Sequence, residues 1–213
     1  MTLKIYFLRH GQTALSKDNL FCGSGSNPGL TEEGKEMARQ FGETYKTLEW
    51  KAIYTSPLIR THETAEPLRA ALNTQLVIRE GLKEIDYGAW EGKSVEQVES
   101  EFHDDHLRWK SDPAWNAPTK GEQAIKISQR ATAVVEEIVN KYSSGNVLVV
   151  SHKATIRIII CSLLGIDVGR FRERIGCPVA SLSMVEFAQR GPLVHTIADR
   201  SHLSGKLRNL EGT

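Results

Sequence analysis

The chain has 213 residues, of which 40% are hydrophobic and 25% charged. These values are typical of a globular protein with a sizeable core, and we expect a single domain over residues 1–213 with a loose tail from about residue 203. The formal net charge of +1 provides no bulk field that would recruit nucleic acid or a membrane surface. Any anion must therefore be bound by a local cluster of cations.

The cysteines and the first residues of the chain indicate the cellular compartment that we expect. Cys22, Cys161 and Cys177 are odd in number and lack CxxC spacing, which argues against a disulfide framework or a zinc site. The first residues, MTLKIYFLRHG, meet charges too early for a signal peptide. No apolar run reaches the roughly 20 residues that a membrane-spanning helix needs. We therefore expect a cytoplasmic protein.

Strand and helix patterns alternate from the start of the chain. LKIYFL (3–8) is a short apolar run that predicts a buried strand. Residues 14–30 contain three glycines and a proline and predict a long loop, of the kind that is often functional. A helix is predicted over 30–48, with Thr31 as its N-cap.

The remaining elements continue the alternation. In chain order we predict a strand at 52–57, a helix at 58–72 with a break or kink near Pro67, a strand at 75–80, an irregular segment at 82–93, a helix at 94–111 broken near His103, a helix at 122–142, a strand at 146–152, a helix at 154–165 stopped by Gly165, and strands at 180–187 and 193–198. This order predicts an α/β fold, a three-layer α/β/α sandwich whose mostly parallel sheet has an antiparallel edge.

Two histidines follow two of the predicted buried strands. Arg9 and His10 come after the first strand, and His152 comes after the strand at 146–152. Ligands of open α/β sheets bind at the carboxyl ends of the strands. Arg60, in the first turn of the helix at 58–72, would reach the same edge. We therefore expect two arginines and two histidines to lie together.

Such a cluster suits phosphate chemistry. Guanidinium groups fork onto phosphate oxygens, and the backbone N–H groups after His10 and at the helix that begins after His152 would add donors. A neutral imidazole is a competent nucleophile. Glu84 or Asp86, in the irregular segment, would supply a proton to the leaving group. The alternatives are hydrogen-bonded structural histidines and a metal site, and neighbouring arginines would repel a metal cation.

Five motifs in order resemble the histidine phosphatase superfamily, which is also called phosphoglycerate-mutase-like. They are LRHGQT, TSPLIRTHETA, LKEIDYGAWEG, KGEQAIKISQR and VVSHKATIR. The resemblance implies that His10 is a nucleophile forming a phosphohistidine, that Arg9, Arg60 and His152 hold the phosphoryl group, and that Glu84 is the proton donor. It implies no metal and no organic cofactor.

The resemblance also implies contacts with a small-molecule phosphate ester. The candidate substrate-binding residues are Gln12, Ser16, Cys22, Gly23, Lys153 and His202. Several of them depart from the family pattern. Ser16 stands where asparagine is frequent, Cys22 where threonine or glutamine is common, and Lys153 where glycine is frequent, and GSGSNPGLT is one residue longer than the usual loop.

The branch of the family is a separate question. Residues 93–121 are short and contain only Arg108 as arginine, which favours a phosphatase over a phosphoglycerate mutase. Segments such as GCPVAS and SHLSG resemble metal-independent phosphoserine phosphatases, in which His202 would reach the substrate carboxylate. The alternatives are an α-ribazole-phosphate or broad-specificity phosphatase, a phosphoglycerate mutase, and a phosphate-binding module without turnover. A homodimer is a further expectation.

Overall fold

The computed structural model describes residues 2–210. Its strands are β1 (Leu3–Arg9), β2 (Trp50–Thr55), β3 (Leu76–Ile78), β4 (Gly145–Ser151), β5 (Leu182–Ala188) and β6 (Gly191–Asp199). They form one sheet in the order β3-β2-β4-β1-β5-β6. The first four strands of that order pair in parallel, and β5 and β6 pair antiparallel at one edge. This mixed sheet confirms the predicted fold class.

Helices cover both faces of the sheet. They are α1 (Ala14–Lys17), α2 (Glu32–Tyr45), α3 (Ile59–Leu72), α4 (Val95–Glu101), α5 (His103–Ser111), α6 (Ala124–Lys141), α7 (Lys153–Leu164), α8 (Phe171–Arg174) and α9 (Gly205–Arg208), with one-turn 3-10 helices at Glu80–Leu82, Gly88–Trp90 and Val168–Arg170. No helix within residues 2–210 is long and apolar enough to cross a membrane.

The central strands are buried on both faces because their side chains alternate between two cores. Phe7 and Val149 pack with α6 and α7 on one face, whereas Leu8 and Val150 pack with α2 and α3 on the other. Side chains of a strand point to opposite faces in turn, so continuous apolar runs are needed where both faces are covered. The two strands that precede the histidines are therefore held rigidly at the centre of the sandwich.

Several predicted boundaries are confirmed. The Thr31 hydroxyl accepts a hydrogen bond from the Gly34 N–H (3.0 Å) and caps α2. The helix at 94–111 is broken near His103, and Gly165 ends α7 with a left-handed φ of 67°. Two features differ. α3 is one continuous helix that includes Pro67, so of the predicted break or kink the break is absent, and the predicted loop contains the short helix α1.

The C-terminal segment differs from the expected loose tail. Leu203 and Leu207 are buried against Met37 of α2 and against Val179 and Ala180. This apolar contact fixes the segment, with α9, on the side of the sheet that α2 covers. Residues 211–213 lie outside the described part of the chain.

Candidate active site

His10 follows β1 directly and is held by its own backbone. Its N–H donates to the Ser151 carbonyl (3.0 Å), and its carbonyl accepts from the Ala180 N–H (3.1 Å). The ring Nδ1 lies 2.8 Å from the Gly11 carbonyl oxygen. A carbonyl only accepts hydrogen bonds, so Nδ1 carries the proton. In the neutral imidazole this leaves a lone pair on Nε2.

Gly11 lets two chain segments approach closely beside His10. Its N–H donates to the Thr64 hydroxyl (2.9 Å), and a Cβ at Gly11 would lie 2.5 Å from the Gly34 carbonyl oxygen. A side chain there would push the start of α2 away from the end of β1. The glycine that follows the histidine is therefore required by packing.

Arg60 and His152 form one hydrogen-bonded unit behind His10. The Arg60 Nε donates to His152 Nδ1 (3.2 Å), and His152 Nε2 lies 2.7 Å from the Ser56 hydroxyl. The His10 and His152 rings are 5.2 Å apart. Both ring nitrogens of His152 are thus engaged within the protein, whereas Arg60, with three of its N–H groups bonded, keeps two for a ligand.

Burial and positive neighbours keep both histidines neutral. Desolvation, followed by the charges of Arg60 and Arg9, lowers the pKa of His10 well below its usual value. Desolvation, followed by the charge of Arg60, lowers the pKa of His152 in the same way. A neutral His10 retains its lone pair near neutral pH, which is the form that acts as a nucleophile.

Arg9 is positioned by the loop that precedes β5. One of its terminal nitrogens, Nη1, donates to the Cys177 carbonyl (2.7 Å), and its backbone N–H donates to the Ser181 carbonyl (3.0 Å). The side chain is 3% exposed and lines the pocket described below. Among the described residues it forms no ion pair, so its charge is available to a bound anion.

Glu84 occupies the N-terminus of α7. Its carboxylate accepts hydrogen bonds from the backbone N–H groups of Ala154 and Thr155 (3.2 Å each). The expectation that these N–H groups bind a substrate anion is therefore wrong for this structure, because a protein carboxylate already satisfies them. The same contact fixes Glu84 beside the two strand ends, where it lines the pocket with His10.

Arg130 of α6 holds the backbone around Glu84. Its guanidinium donates to the carbonyls of Gly81 (2.7 Å), Lys83 (2.8 Å) and Glu84 (3.2 Å). It also forms a two-pronged ion pair with Glu122, at 2.9 Å for each contact. Arg130 thus ties α6 to the irregular segment and limits how far Glu84 can move.

Glu91 and Arg60 fix the loop at residues 22–27. The Glu91 carboxylate accepts from the Gly23 N–H (2.9 Å) and from the Ser26 hydroxyl (2.7 Å). Arg60 donates to the carbonyls of Gly23 (3.0 Å) and Ser26 (2.8 Å). A Cβ at Gly23 would lie 2.2 Å from the Ile85 carbonyl. Gly23 therefore packs between the loop and the Glu84 segment.

One pocket of about 360 Å³ opens over these residues. It is lined by Arg9, His10, Thr13, Ser16, Asn19, Leu20, Phe21, Cys22, Glu84, Tyr87, Val95, Trp109, Lys153, Ala154, Arg157, Phe171 and Arg172. The volume is at the low end of the range for small-molecule sites. The pocket thus combines Arg9, His10 and Glu84 with a ring of cationic and aromatic side chains, whereas Arg60 and His152 are fully buried behind His10 and do not line it.

Three of the predicted substrate contacts line this pocket. They are Ser16, Cys22 and Lys153. The Ser16 hydroxyl donates to the Thr13 carbonyl (3.0 Å) and accepts from the Thr13 N–H (2.9 Å), which caps α1. Burial raises the pKa of the Cys22 thiol. Burial, followed by the charges of Arg9 and Arg157, lowers the pKa of Lys153 to about 7.

The other three predicted contacts do not line the pocket. The Gln12 side-chain carbonyl accepts from the Thr31 hydroxyl (3.1 Å), and Gly23 is packed as described above. His202 lies edge-on to Phe41 (5.4 Å between ring centres) and Tyr45 (5.9 Å) of α2. The burial of Leu203 and Leu207 holds His202 against that helix, outside the residues that line the pocket.

Four further residues that line the pocket were not among the predicted site residues. They are Tyr87, which lies within LKEIDYGAWEG, Arg157, which ends VVSHKATIR, and Trp109 and Arg172, which lie outside the five motifs. Arg157 had a usable signal: it lies four residues after Lys153, so both lie on one face of the predicted helix. Arg172 had none, because it enters from the separate helix α8. Among residues 2–210, no group of three or more histidine, cysteine, aspartate or glutamate side chains is placed to hold a metal ion.

Comparisons with known proteins identify the family of this chain. The family model of the histidine phosphatase superfamily (branch 1) matches residues 5–200. Phosphoserine phosphatase 1 of Hydrogenobacter thermophilus is 29% identical over 201 residues, 94% of each chain. Probable phosphoglycerate mutase GpmB of Klebsiella pneumoniae is 28% identical over 210 residues, 94% of this chain and 95% of that one.

A solved structure shows the same fold. Bacillus stearothermophilus YhfR superposes with a TM-score of 0.87 at 27% identity, covering 94% of this chain and 98% of that one. The family match extends from β1 into the segment after β6 and so includes both strand ends, the Glu84 segment and α7. The chain belongs to the histidine phosphatase superfamily, branch 1, and is a phosphatase.

Proposed function

We propose that this phosphatase hydrolyses a small phosphorylated metabolite through a phosphohistidine formed on His10 Nε2. The observation that carries the proposal is the hydrogen bond from His10 Nδ1 to the Gly11 carbonyl (2.8 Å). It places the proton on Nδ1 and the lone pair on Nε2, and the lowered pKa keeps the ring neutral. A neutral, oriented imidazole beside two arginines meets the needs of phosphoryl transfer, which are position and charge stabilisation.

The reaction then proceeds in two transfers. In the first, His10 Nε2 forms a bond to phosphorus, the ester P–O bond breaks, and Glu84 in its protonated form gives its proton to the leaving alkoxide. In the second, water attacks the phosphohistidine, the P–N bond breaks, and the Glu84 carboxylate takes the water proton. Arg9 and Arg60 bind the phosphoryl oxygens in both steps, and His152 orients Arg60 through their hydrogen bond (3.2 Å).

Phosphoserine is our proposed substrate. Its support is the name of the relative Phosphoserine phosphatase 1, which shares 29% identity over 94% of each chain, together with the small pocket of about 360 Å³. α-Ribazole phosphate and a broad substrate range are the alternatives within the same chemistry. A mutase is the alternative suggested by the relative named probable phosphoglycerate mutase, and the short segment 93–121 argues against it.

The test measures phosphate release in the presence of EDTA. We expect turnover of p-nitrophenyl phosphate and of phosphoserine without added metal, and an acid-labile, base-stable phosphoprotein in rapid-quench samples. The His10→Ala variant should form no phosphoprotein, while a control variant of the half-exposed His195, His195→Ala, should form it normally. Absence of turnover over a broad pH range would favour a binding module, and transfer of phosphate between positions of phosphoglycerate would favour a mutase.

A further inference from the structure

The outer part of the pocket carries more positive charge than the phosphoryl group needs. Lys153, Arg157 and Arg172 line the pocket, and we call these three residues the basic wall. Within the described part of the chain, none of them forms an ion pair with a carboxylate. The one carboxylate among the lining residues is Glu84, which is already held by the N-terminus of α7.

The positive charges of the site fall into two groups, those that a bound phosphoryl group would neutralise and those that it would leave over. Arg9 and Arg60 together match the two negative charges of a phosphate monoester. The basic wall then remains as an excess of cations. Burial, followed by the charges of Arg9 and Arg157, lowers the pKa of Lys153, and burial also lowers the pKa of Arg172. Buried charges are usually paired, and these three cations lack a carboxylate partner among the described residues, so an anion from outside the chain would supply the missing charge.

The positions of the two arginines of the basic wall favour binding of such an anion. Arg172 stacks on the Trp109 ring, with its guanidinium carbon 4.0 Å from the ring centre, which fixes the plane of its N–H groups. The Nε of Arg157 is buried without a hydrogen-bond partner. A fixed guanidinium fork binds carboxylate or phosphate through two parallel hydrogen bonds.

We infer that Arg157 and Arg172, with Lys153, form a second anion subsite that selects phosphate monoesters carrying an additional carboxylate or phosphate group. The inference rests on the proposed function, because it assumes that the phosphoryl group binds beside His10. The carboxylate of phosphoserine would meet this requirement, and so would the second anionic group of a phosphorylated hydroxy acid or of a bisphosphate.

The experiment compares substrates that differ only in the second anion. Glycerol 3-phosphate and 3-phosphoglycerate differ by a carboxylate, and fructose 6-phosphate and fructose 1,6-bisphosphate differ by a phosphate. We expect the wild type to favour the more anionic member of at least one pair by about tenfold or more in kcat/KM, the size expected for a charged hydrogen bond. The pair that shows the preference identifies which anion the subsite takes.

Variants assign the preference to the basic wall. Arg157→Met and Arg172→Met should each lower the ratio of kcat/KM for the preferred substrate to kcat/KM for its less charged partner by about tenfold. Arg174→Met is the matched control, because Arg174 lies on α8 beside Arg172 but is exposed and does not line the pocket. Equal kcat/KM for both members of both pairs, or equal losses on both members in the variants, would overturn the inference while leaving the phosphatase chemistry intact.

A binding measurement separates this inference from the proposed function. Calorimetry of the His10→Ala variant with 3-phosphoglycerate and glycerol 3-phosphate, and with the two fructose phosphates, gives a Kd for each without turnover. Tighter binding of the more anionic member, lost on adding Arg172→Met, would support the subsite even if hydrolysis failed. Equal Kd values within both pairs would contradict it.

Discussion

The two ends of the pocket are built differently. The inner end is formed by Arg9, His10 and Glu84, which line the pocket, and by Arg60 and His152 behind them. These five residues are at most 4% exposed, and each is held by hydrogen bonds to backbone or to one another. At the outer end, the basic wall is half-buried and forms no ion pairs among the described residues. Fully buried groups held by hydrogen bonds suit a reaction common to all substrates, whereas half-buried cations suit the part of the substrate that varies.

The largest effect is expected from Arg60. Arg60→Met removes a charge from the inner end and also the hydrogen bonds to His152, Gly23 and Ser26. We expect kcat/KM to fall about a thousandfold for every substrate, since lost transition-state donors cost two to three powers of ten. Steady-state kinetics on p-nitrophenyl phosphate and phosphoserine measure this, with circular dichroism to check folding.

The contrast with the outer end makes that result informative. Arg172→Met should leave p-nitrophenyl phosphate turnover nearly unchanged. If Arg60→Met cost less than tenfold, or cost the same as Arg172→Met on this substrate, the division between a reacting end and a selecting end would be wrong.

Glu84→Gln tests the proton at the inner end. We expect kcat/KM for phosphoserine to fall about a hundredfold, because the serine alkoxide is a poor leaving group that needs a general acid. The loss should be much smaller for p-nitrophenyl phosphate, whose leaving group departs without a proton. Equal losses on both substrates would mean that Glu84 acts on binding or folding and not as the acid.

The Arg130→Met variant tests whether the position of Glu84 depends on the hydrogen bonds that Arg130 donates to the surrounding backbone. Arg130→Met removes the hydrogen bonds to the Gly81, Lys83 and Glu84 carbonyls, so Glu84 should be less well placed. We expect about a tenfold loss in kcat/KM on phosphoserine, because a misplaced catalytic group loses rate, and a smaller loss on p-nitrophenyl phosphate.

The control for Arg130→Met is a variant that removes a different arginine contact between α6 and the segment before Glu84. Arg79 pairs with Glu137 of α6 at 2.6 Å and makes no contact with the Glu84 carboxylate. Arg79→Met should therefore preserve the ratio of the two substrates. If it changed that ratio as much as Arg130→Met does, the positioning role of Arg130 would fail.

His202 should affect stability and leave catalysis unchanged. Burial against Phe41 and Tyr45 lowers its pKa from 6.5 to about 4. Between these pH values the unfolded chain binds a proton that the folded His202 does not, so the folded state loses free energy of unfolding as the pH falls. In His202→Phe, the free energy of unfolding should therefore fall by roughly 2 kcal/mol less between pH 7 and pH 4.5 than it does in the wild type.

Urea unfolding at pH 7 and pH 4.5 measures this difference, and kcat for phosphoserine should stay within twofold of wild type. His195→Phe is the control, because His195 is half-exposed on β6. The same pH dependence in wild type and His202→Phe would contradict the burial argument. A large change in kcat would mean that His202 acts on the reaction although it does not line the pocket.

Much of the inner end could be predicted from the sequence because it depends on local order. Strands rich in apolar residues must be central, and parallel strands bring their carboxyl ends to one edge. His10, Arg9 and His152 follow such strands directly, and Arg60 begins the helix after another. Their positions therefore follow from the chain order, although their catalytic roles remain predictions.

The hydrogen bonds within that end were decided by tertiary structure. The N-terminus of α7 looked open to a substrate anion, but Glu84, about 70 residues earlier in the chain, occupies it. His152 looked like a phosphate ligand, but both of its ring nitrogens face Ser56 and Arg60. Such competition between partners distant in the chain leaves no periodic pattern for sequence analysis to detect.

The sequence by itself determined the family, the fold class and the residues at the strand ends, since these depend on motif order and on hydrophobic periodicity. Tertiary structure alone decided the outer end: Tyr87, Trp109 and Arg172 come from separate elements and meet only when those elements pack around the pocket. The same packing drew His202 toward α2, because burying Leu203 and Leu207 fixes the C-terminal segment there. Long-range apolar contacts, which a local pattern does not encode, therefore set the surroundings of the substrate.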